Sequence, residues 1–210
     1  MRTKFFHLSL LLITTFTLLV SCQKEIDGTI VGGGGVTPAN QFPKVGTIWT
    51  YRYEWYNVPG GATNSKYVYH RAQKDTTLGG ESWLKIIDVD ADTTVYFLKT
   101  KPDGLYQYTN SAAYMLCKYP ATIGDSYSTF NGGSAEVFTV RGVNDSTATG
   151  IGFIPLSKYE GVKSGQIIDV LWYNKYSWLT WKFQYKYFCD QQGNCEYYLK
   201  NRHYIDNIVY

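Results

Sequence analysis

Cys189 and Cys195 flank Asp190-Gln-Gln-Gly-Asn194, a turn-rich connector between two segments of alternating pattern. A hairpin there sets the two sulfurs opposite each other, and in an oxidising compartment they join as a disulfide. Closing so short a loop contributes about 2–2.5 kcal/mol in the chain-entropy account, enough to pin a tip and too little to make a fold. Two reduced cysteines packed as small hydrophobes are the alternative. A metal is a poorer reading, because two thiolates need further ligands, and with Cys22 committed as argued below the chain beyond residue 21 offers only His70, His203 and Cys117. Cys117 reads as a buried free thiol.

Acids and histidines carry less. Alternation would put Asp88, Asp90 and Asp92 on one strand face, where like charges repel unless solvated or bound to a cation. As a calcium loop the run departs at Thr93, where glycine is needed, and at Lys99, where a bidentate acid belongs. A solvated turn between strands is the simpler reading. A Ser/His/acid arrangement would have to use His70 or His203, each inside an aromatic strand pattern that favours a packing or surface role. Glycoside hydrolysis could draw on Glu54, Glu81, Glu136 or Glu160, but no spacing makes two of them converge. No G-x-S-x-G, H-E-x-x-H, C-x-x-C or complete G-x-G-x-x-G occurs, and Gly150-Ile-Gly152 lacks the third glycine. No catalytic residue is therefore assigned, and neither a metal nor a cofactor is expected.

The beginning of the chain has its own chemistry. Met1-Arg-Thr-Lys4 is basic, and Phe5 to Val20 is an apolar run. This is the layout of a secretory signal. Sixteen helical residues reach only about 24 Å, short of the roughly 30 Å hydrocarbon layer, which disfavours a permanent span. The run ends Leu19-Val20-Ser21-Cys22, which resembles the bacterial lipobox, in which the cysteine sulfur receives diacylglycerol and the chain is cut before it. Residues 1–21 are then a lipoprotein signal peptide, and Cys22 is a lipidated first residue. Two or three acyl chains, at about 0.8 kcal/mol per buried methylene, hold a protein stably on a membrane.

Removing Arg2 and Lys4 leaves 18 basic residues against 17 acidic ones, a balance near +1 that excludes a nucleic-acid footprint. Residues 22–41 form a tether: GTIVGGGGVTPANQ has four consecutive glycines, and as a flexible coil 23–41 reaches about 25 Å. Residues 42–210 suit one domain. With 9 alanines against 20 Tyr, 10 Phe and 6 Trp, propensity points to strands. Alternating segments follow, from Trp49, Tyr51, Tyr53 and Trp55 on one parity to Trp181, Phe183, Tyr185 and Tyr187 on another, with turn residues between them. The aromatic parity of the latter is expected in the core, with Lys182, Gln184 and Lys186 outside. Ser111 to Lys118 is read as room for one short helical turn.

Phe42-Pro-Lys-Val-Gly-Thr-Ile-Trp-Thr-Tyr51 and Tyr119-Pro-Ala-Thr-Ile-Gly-Asp-Ser-Tyr127 are related phrases, with Gly46 and Gly124 78 residues apart. Proline fixes φ ahead of a strand and glycine permits the bend into it, so two such phrases point to two sheet halves. Together with Asp103-Gly-Leu-Tyr106, Ile154 to Val162 and Trp172 to Leu179, they resemble a broad group of Bacteroidota-type envelope lipoproteins. Ser177 stands where those proteins usually carry glycine. The resemblance implies an antiparallel sheet curled into an open barrel or half-barrel, similar to lipoprotein carriers or lipocalins. It transfers no catalytic residue. Gln23-Lys24-Glu25-Ile26-Asp27 after the cysteine looks like the short charged signal that sends such lipoproteins to the cell surface, so the expectation is lipid attachment at the outer membrane, facing either the periplasm or the cell exterior.

The aromatic excess is what remains to read. Tyr and Trp pair a broad apolar face with a polar tip, which suits surfaces that stack on sugars or enclose apolar ligands. The expectation is an all-β binding module for a glycan or lipid-like ligand, with Trp49, Tyr51, Tyr53 and Trp55 as its concave face. A structural or adhesive surface protein and a carbohydrate hydrolase are the alternatives.

Overall fold

The computed structural model describes residues 42–61, 63–131 and 134–210; the expected signal peptide 1–21, the expected lipidation site Cys22 and the expected tether to residue 41 lie outside them. Twelve strands follow one another: β1 (Ile48–Tyr56), β2 (Thr63–Leu78), β3 (Glu81–Asp88), β4 (Thr93–Lys101), β5 (Gly104–Thr109), β6 (Ala112–Lys118), β7 (Ser126–Asn131), β8 (Ser134–Thr149), β9 (Gly152–Lys163), β10 (Gln166–Asn174), β11 (Trp178–Cys189) and β12 (Cys195–Val209). They make one antiparallel sheet in the order β6-β5-β4-β3-β2-β1-β12-β11-β10-β9-β8-β7. The all-β architecture is as expected, and the sheet curls beyond a half-barrel into a nearly closed barrel.

The two halves are two six-strand meanders, β1–β6 and β7–β12, joined where β1 pairs with β12. Each half begins with one of the related phrases, and the two phrases fold alike. Gly46 and Gly124 take φ of +97° and +94°, values that favour glycine. Each glycine N–H donates to a carbonyl of the strand after next, Gly46 to Ala72 and Gly124 to Val140, both at 2.9 Å. Ala72 and Val140 then donate back to Thr47 and Asp125, at 2.9 and 2.8 Å.

The free edges, β6 and β7, meet in mid-chain. Side chains bridge the seam: the Tyr127 hydroxyl donates to the Leu116 carbonyl at 2.9 Å, the Gln107 amide to the Phe130 carbonyl, and Lys118 pairs with Asp125 at 2.8 Å. Capping the sheet edges in this way covers backbone groups that would otherwise template aggregation.

One end of the barrel, where both phrases enter, is filled with apolar side chains such as Trp49, Leu105, Leu156, Leu171, Tyr173 and Ile205. Two local expectations are corrected. Residues 112–118 are strand β6 rather than a helical turn, since pairing with β5 satisfies their backbone along the whole segment. In β11, Lys182 and not its aromatic neighbours faces the lumen: Lys182 lies beside His203 and Leu171 in the adjoining strands, whereas Trp181 and Phe183 pack with Trp172 outside.

Candidate functional site: a polar layer in the barrel lumen

Above the apolar filling, toward the end from which the β11–β12 hairpin projects, the inner face turns polar. Strand register sets Tyr53, His203, Lys182, Leu171 and Tyr159 side by side, and next to them Trp55, Asn201, Gln184 and Asp169. Lys182 is the electrostatic centre. Burial opposes its charge, but Tyr96, which hydrogen-bonds to it, and the carboxylates of Asp169 and Glu136 more than compensate, so its pKa stands above the ordinary lysine value. The two histidines are the opposite case. Burial pushes His70 down to about 4, against the pull of Asp88. Burial, then the positive charge of Lys182 and His70, takes His203 to about 3.

This layer can be reached through the wall. β4 and β5 are laddered only from Leu98 opposite Gln107 to Lys101 opposite Gly104, so they splay over 94–97 and 108–109. A cavity of about 590 Å³ occupies the opening. Residues from both faces of β4 line it, Tyr96 from within and Phe97 from without, together with Thr94 and Val95 at the β4 bulge, Gln107 and, at its inner limit, Lys182. Such a volume suits a small ligand, and the lining mixes ring surfaces with donors and acceptors. A second cavity, of about 490 Å³, lies at the opposite end under the incoming segment, with Phe42, Val45, Leu84, Leu98 and Trp178 as apolar walls.

All four residues proposed as the ligand face, Trp49, Tyr51, Tyr53 and Trp55, point into the lumen, but two of them fill it. Trp49 is 2% exposed, stacks on Trp178 at 5.8 Å and donates its indole N–H to the Ser177 carbonyl at 3.0 Å. Tyr51 donates its hydroxyl to the Leu179 carbonyl at 2.8 Å, and burial pushes its pKa far up. Beside them only a void of about 20 Å³ is left, room for one water. Tyr53 and Trp55 are half-buried, their rings stacked at 5.4 Å, with Tyr53 edge-on to His203 at 4.5 Å.

The other chemistry-bearing residues are placed as follows. Cys189 and Cys195 form a disulfide opposite each other in the β11–β12 hairpin, and Cys117 is a buried free thiol whose pKa burial raises. Asp88 ends β3, and its carboxylate accepts from the backbone of Asp90 and Ala91, the turn reading of that acidic run. Among the described residues no group of His, Cys, Asp and Glu gathers to hold a metal. Of the four glutamates, only Glu136 faces Lys182 in the lumen. Glu54 lies outside, held by Tyr204 and by Arg202 at 2.6 Å. Burial raises its pKa, but these hydrogen bonds and the charges of Arg202 and Arg52 bring it below the ordinary value, and Glu160 is lowered likewise between Lys158 and Arg141. Glu81 is paired with Lys99 and Lys101. Glu54 and Glu160 thus stay ionised, which unsuits either to donate a proton to a leaving group.

Tyr96 and Gln107 are site residues that the sequence reading passed over, and Lys182 is one that it placed on the outer face. Their signal is not along one strand but across several: Asp169, Gln184, Asn201 and His203 interrupt the inner parity of three consecutive strands at two adjacent levels. No protein-family model, no curated protein and no solved structure matches this chain.

Proposed function

We propose that the protein is a lipid-anchored envelope binding module, non-catalytic, that takes a small glycan-class ligand into the lumen between β4 and β5. The observation that carries this reading is the cavity of about 590 Å³ that passes through the wall and ends at Lys182. Hydroxyl-rich ligands are favoured because the ammonium and the Tyr96 hydroxyl can donate, the Gln107 carbonyl and the Thr94 hydroxyl can accept, and the Tyr96 and Phe97 rings offer apolar faces to a sugar ring. Charge does not select the ligand strongly, since Lys182 already has Asp169 and Glu136 beside it. The anchor is Cys22, with residues 23–41 as the spacer to a barrel held at the outer membrane.

Calorimetric titration with a panel of small saccharides tests the ligand class. Binding with Kd below about 1 mM, weakened at least tenfold by Tyr96→Phe, is expected. A panel that fails throughout, or an affinity indifferent to Tyr96→Phe, contradicts it. The apolar cavity beneath Phe42 and Val45 favours a second reading, a lipid-like ligand; binding of a lysophospholipid and of no saccharide would replace the first reading with this one.

A further inference from the structure

The outer wall carries a second, separate surface. Trp181, Phe183, Tyr185 and Tyr187 share the outward parity of β11. At about 6.8 Å per residue pair the row runs roughly 20 Å along one strand. Trp172 of β10 widens it, 5.4 Å from Trp181 and 4.7 Å from Phe183, and Tyr197 of β12 closes its far end, 5.0 Å from Tyr187. The first rings are half-buried, while Tyr187 and Tyr197 are 53% and 39% exposed. From Tyr185 on, the hairpin extends past the neighbouring strands: β10 pairs with β11 only up to Gln184 and β1 pairs with β12 only up to Asn201, so among the described residues no third strand flanks either edge, and the Tyr198 hydroxyl, donating to the Asn57 carbonyl at 3.2 Å, ties the arm to the β1–β2 turn. A continuous aromatic row on a water-facing wall costs solubility and marks a contact surface.

Its flanks select the partner's charge. Phe183 lies opposite Arg202, Trp181 opposite Tyr204, and the Lys158 ammonium sits 5.8 Å from the Trp172 ring. Four cations border the row, Arg52, Arg141, Lys158 and Arg202, against two acids, Glu54 and Glu160, and each acid already holds two of those cations. The balance of four against two leaves two positive charges in excess. The row's shape selects the partner's form. It is narrow, straight and on the convex side of a barrel, which offers a globular partner little enclosure but lets an extended chain lie along the strand. Repeating rings meet repeating sugar faces, and the bordering cations meet carboxylates.

We propose that this row docks an extended acidic polysaccharide, a chain of uronic-acid character, lying along β11 toward the hairpin tip. The proposal is independent of the lumenal site. Affinity electrophoresis of the intact protein in gels containing polygalacturonate tests it, with a neutral β-glucan gel and anionic phospholipid vesicles as comparisons. Retardation by polygalacturonate is expected, reduced at least tenfold in Tyr187→Ser and in Phe183→Ser, weakened by salt, and unchanged in Tyr96→Phe. The Tyr187 change lies on the exposed arm, so its fold is preserved, as circular dichroism can verify. Equal retardation of wild type and both variants would reduce the effect to net charge and overturn the proposal, as would retardation by the neutral glucan alone. Binding to vesicles without binding to polygalacturonate would assign the row to a membrane surface instead.

Discussion

Lys182 is charged inside a barrel because its neighbours make it so. Replacing it with methionine leaves Asp169 and Glu136 without the ammonium that faces them, and at pH 7 this should cost about 2–4 kcal/mol. Urea unfolding of Lys182→Met at pH 7 measures it. The histidines set the acid limit. His70 binds protons more weakly folded than unfolded, about 4 against an ordinary 6.5, so the unfolded state takes up the proton first. Its contribution is complete above pH 6.5 and declines as pH falls toward 4, by about 3 kcal/mol at that pH. His203, at about 3, acts in the same direction. The midpoint of thermal unfolding should therefore drop between pH 6.5 and 4, and His70→Phe should flatten that drop; an unaltered slope in the variant would assign the acid sensitivity to other groups.

At the scale of elements, the two strand starts give the cleanest comparison. An alanine Cβ at Gly46 or at Gly124 would meet nothing within 4 Å, so the cost of either substitution is the left-handed backbone alone. Gly46→Ala and Gly124→Ala should each destabilise by about 1–2 kcal/mol, and equally, if the two phrases are one device used twice. The hairpin arm behaves differently. Reducing Cys189–Cys195 should remove at most about 2–2.5 kcal/mol and raise amide exchange in 185–189 and 195–199 while leaving the barrel protected.

These elements also show what could be read without the structure. Turn residues, alternation and the twin phrases disclosed most strands, the two halves and the disulfide, because each is set by neighbours in sequence. The direction of β11 was not, since alternation tells which residues share a face but not which face is inside. Here the lumen holds a lysine because Asp169 of β10, Glu136 of β8 and Tyr96 of β4 surround it, and no local pattern links those four positions. Trp49 and Tyr51 were rightly grouped with Tyr53 and Trp55, but the depth at which each sits depends on Trp178 and Leu179, 128 or more residues away.

For the whole molecule, the cysteines report the proposed anchor. The chain has 4 cysteines, of which Cys189 and Cys195 are paired and Cys117 is buried and free. Protein recovered from membranes should yield no reactive thiol when native and one after denaturation without reductant; two would mean that Cys22 carries no lipid. Palmitate labelling that disappears in Cys22→Ala should agree. The proposed binding function rests on the opening between β4 and β5. Lysine-selective isotope labelling addresses it directly: as the tightest saccharide of the panel is titrated in, the NMR signal of Lys182 should shift saturably while those of outward lysines such as Lys158 stay in place. A saturable shift of surface lysines with Lys182 unmoved would contradict a lumenal site.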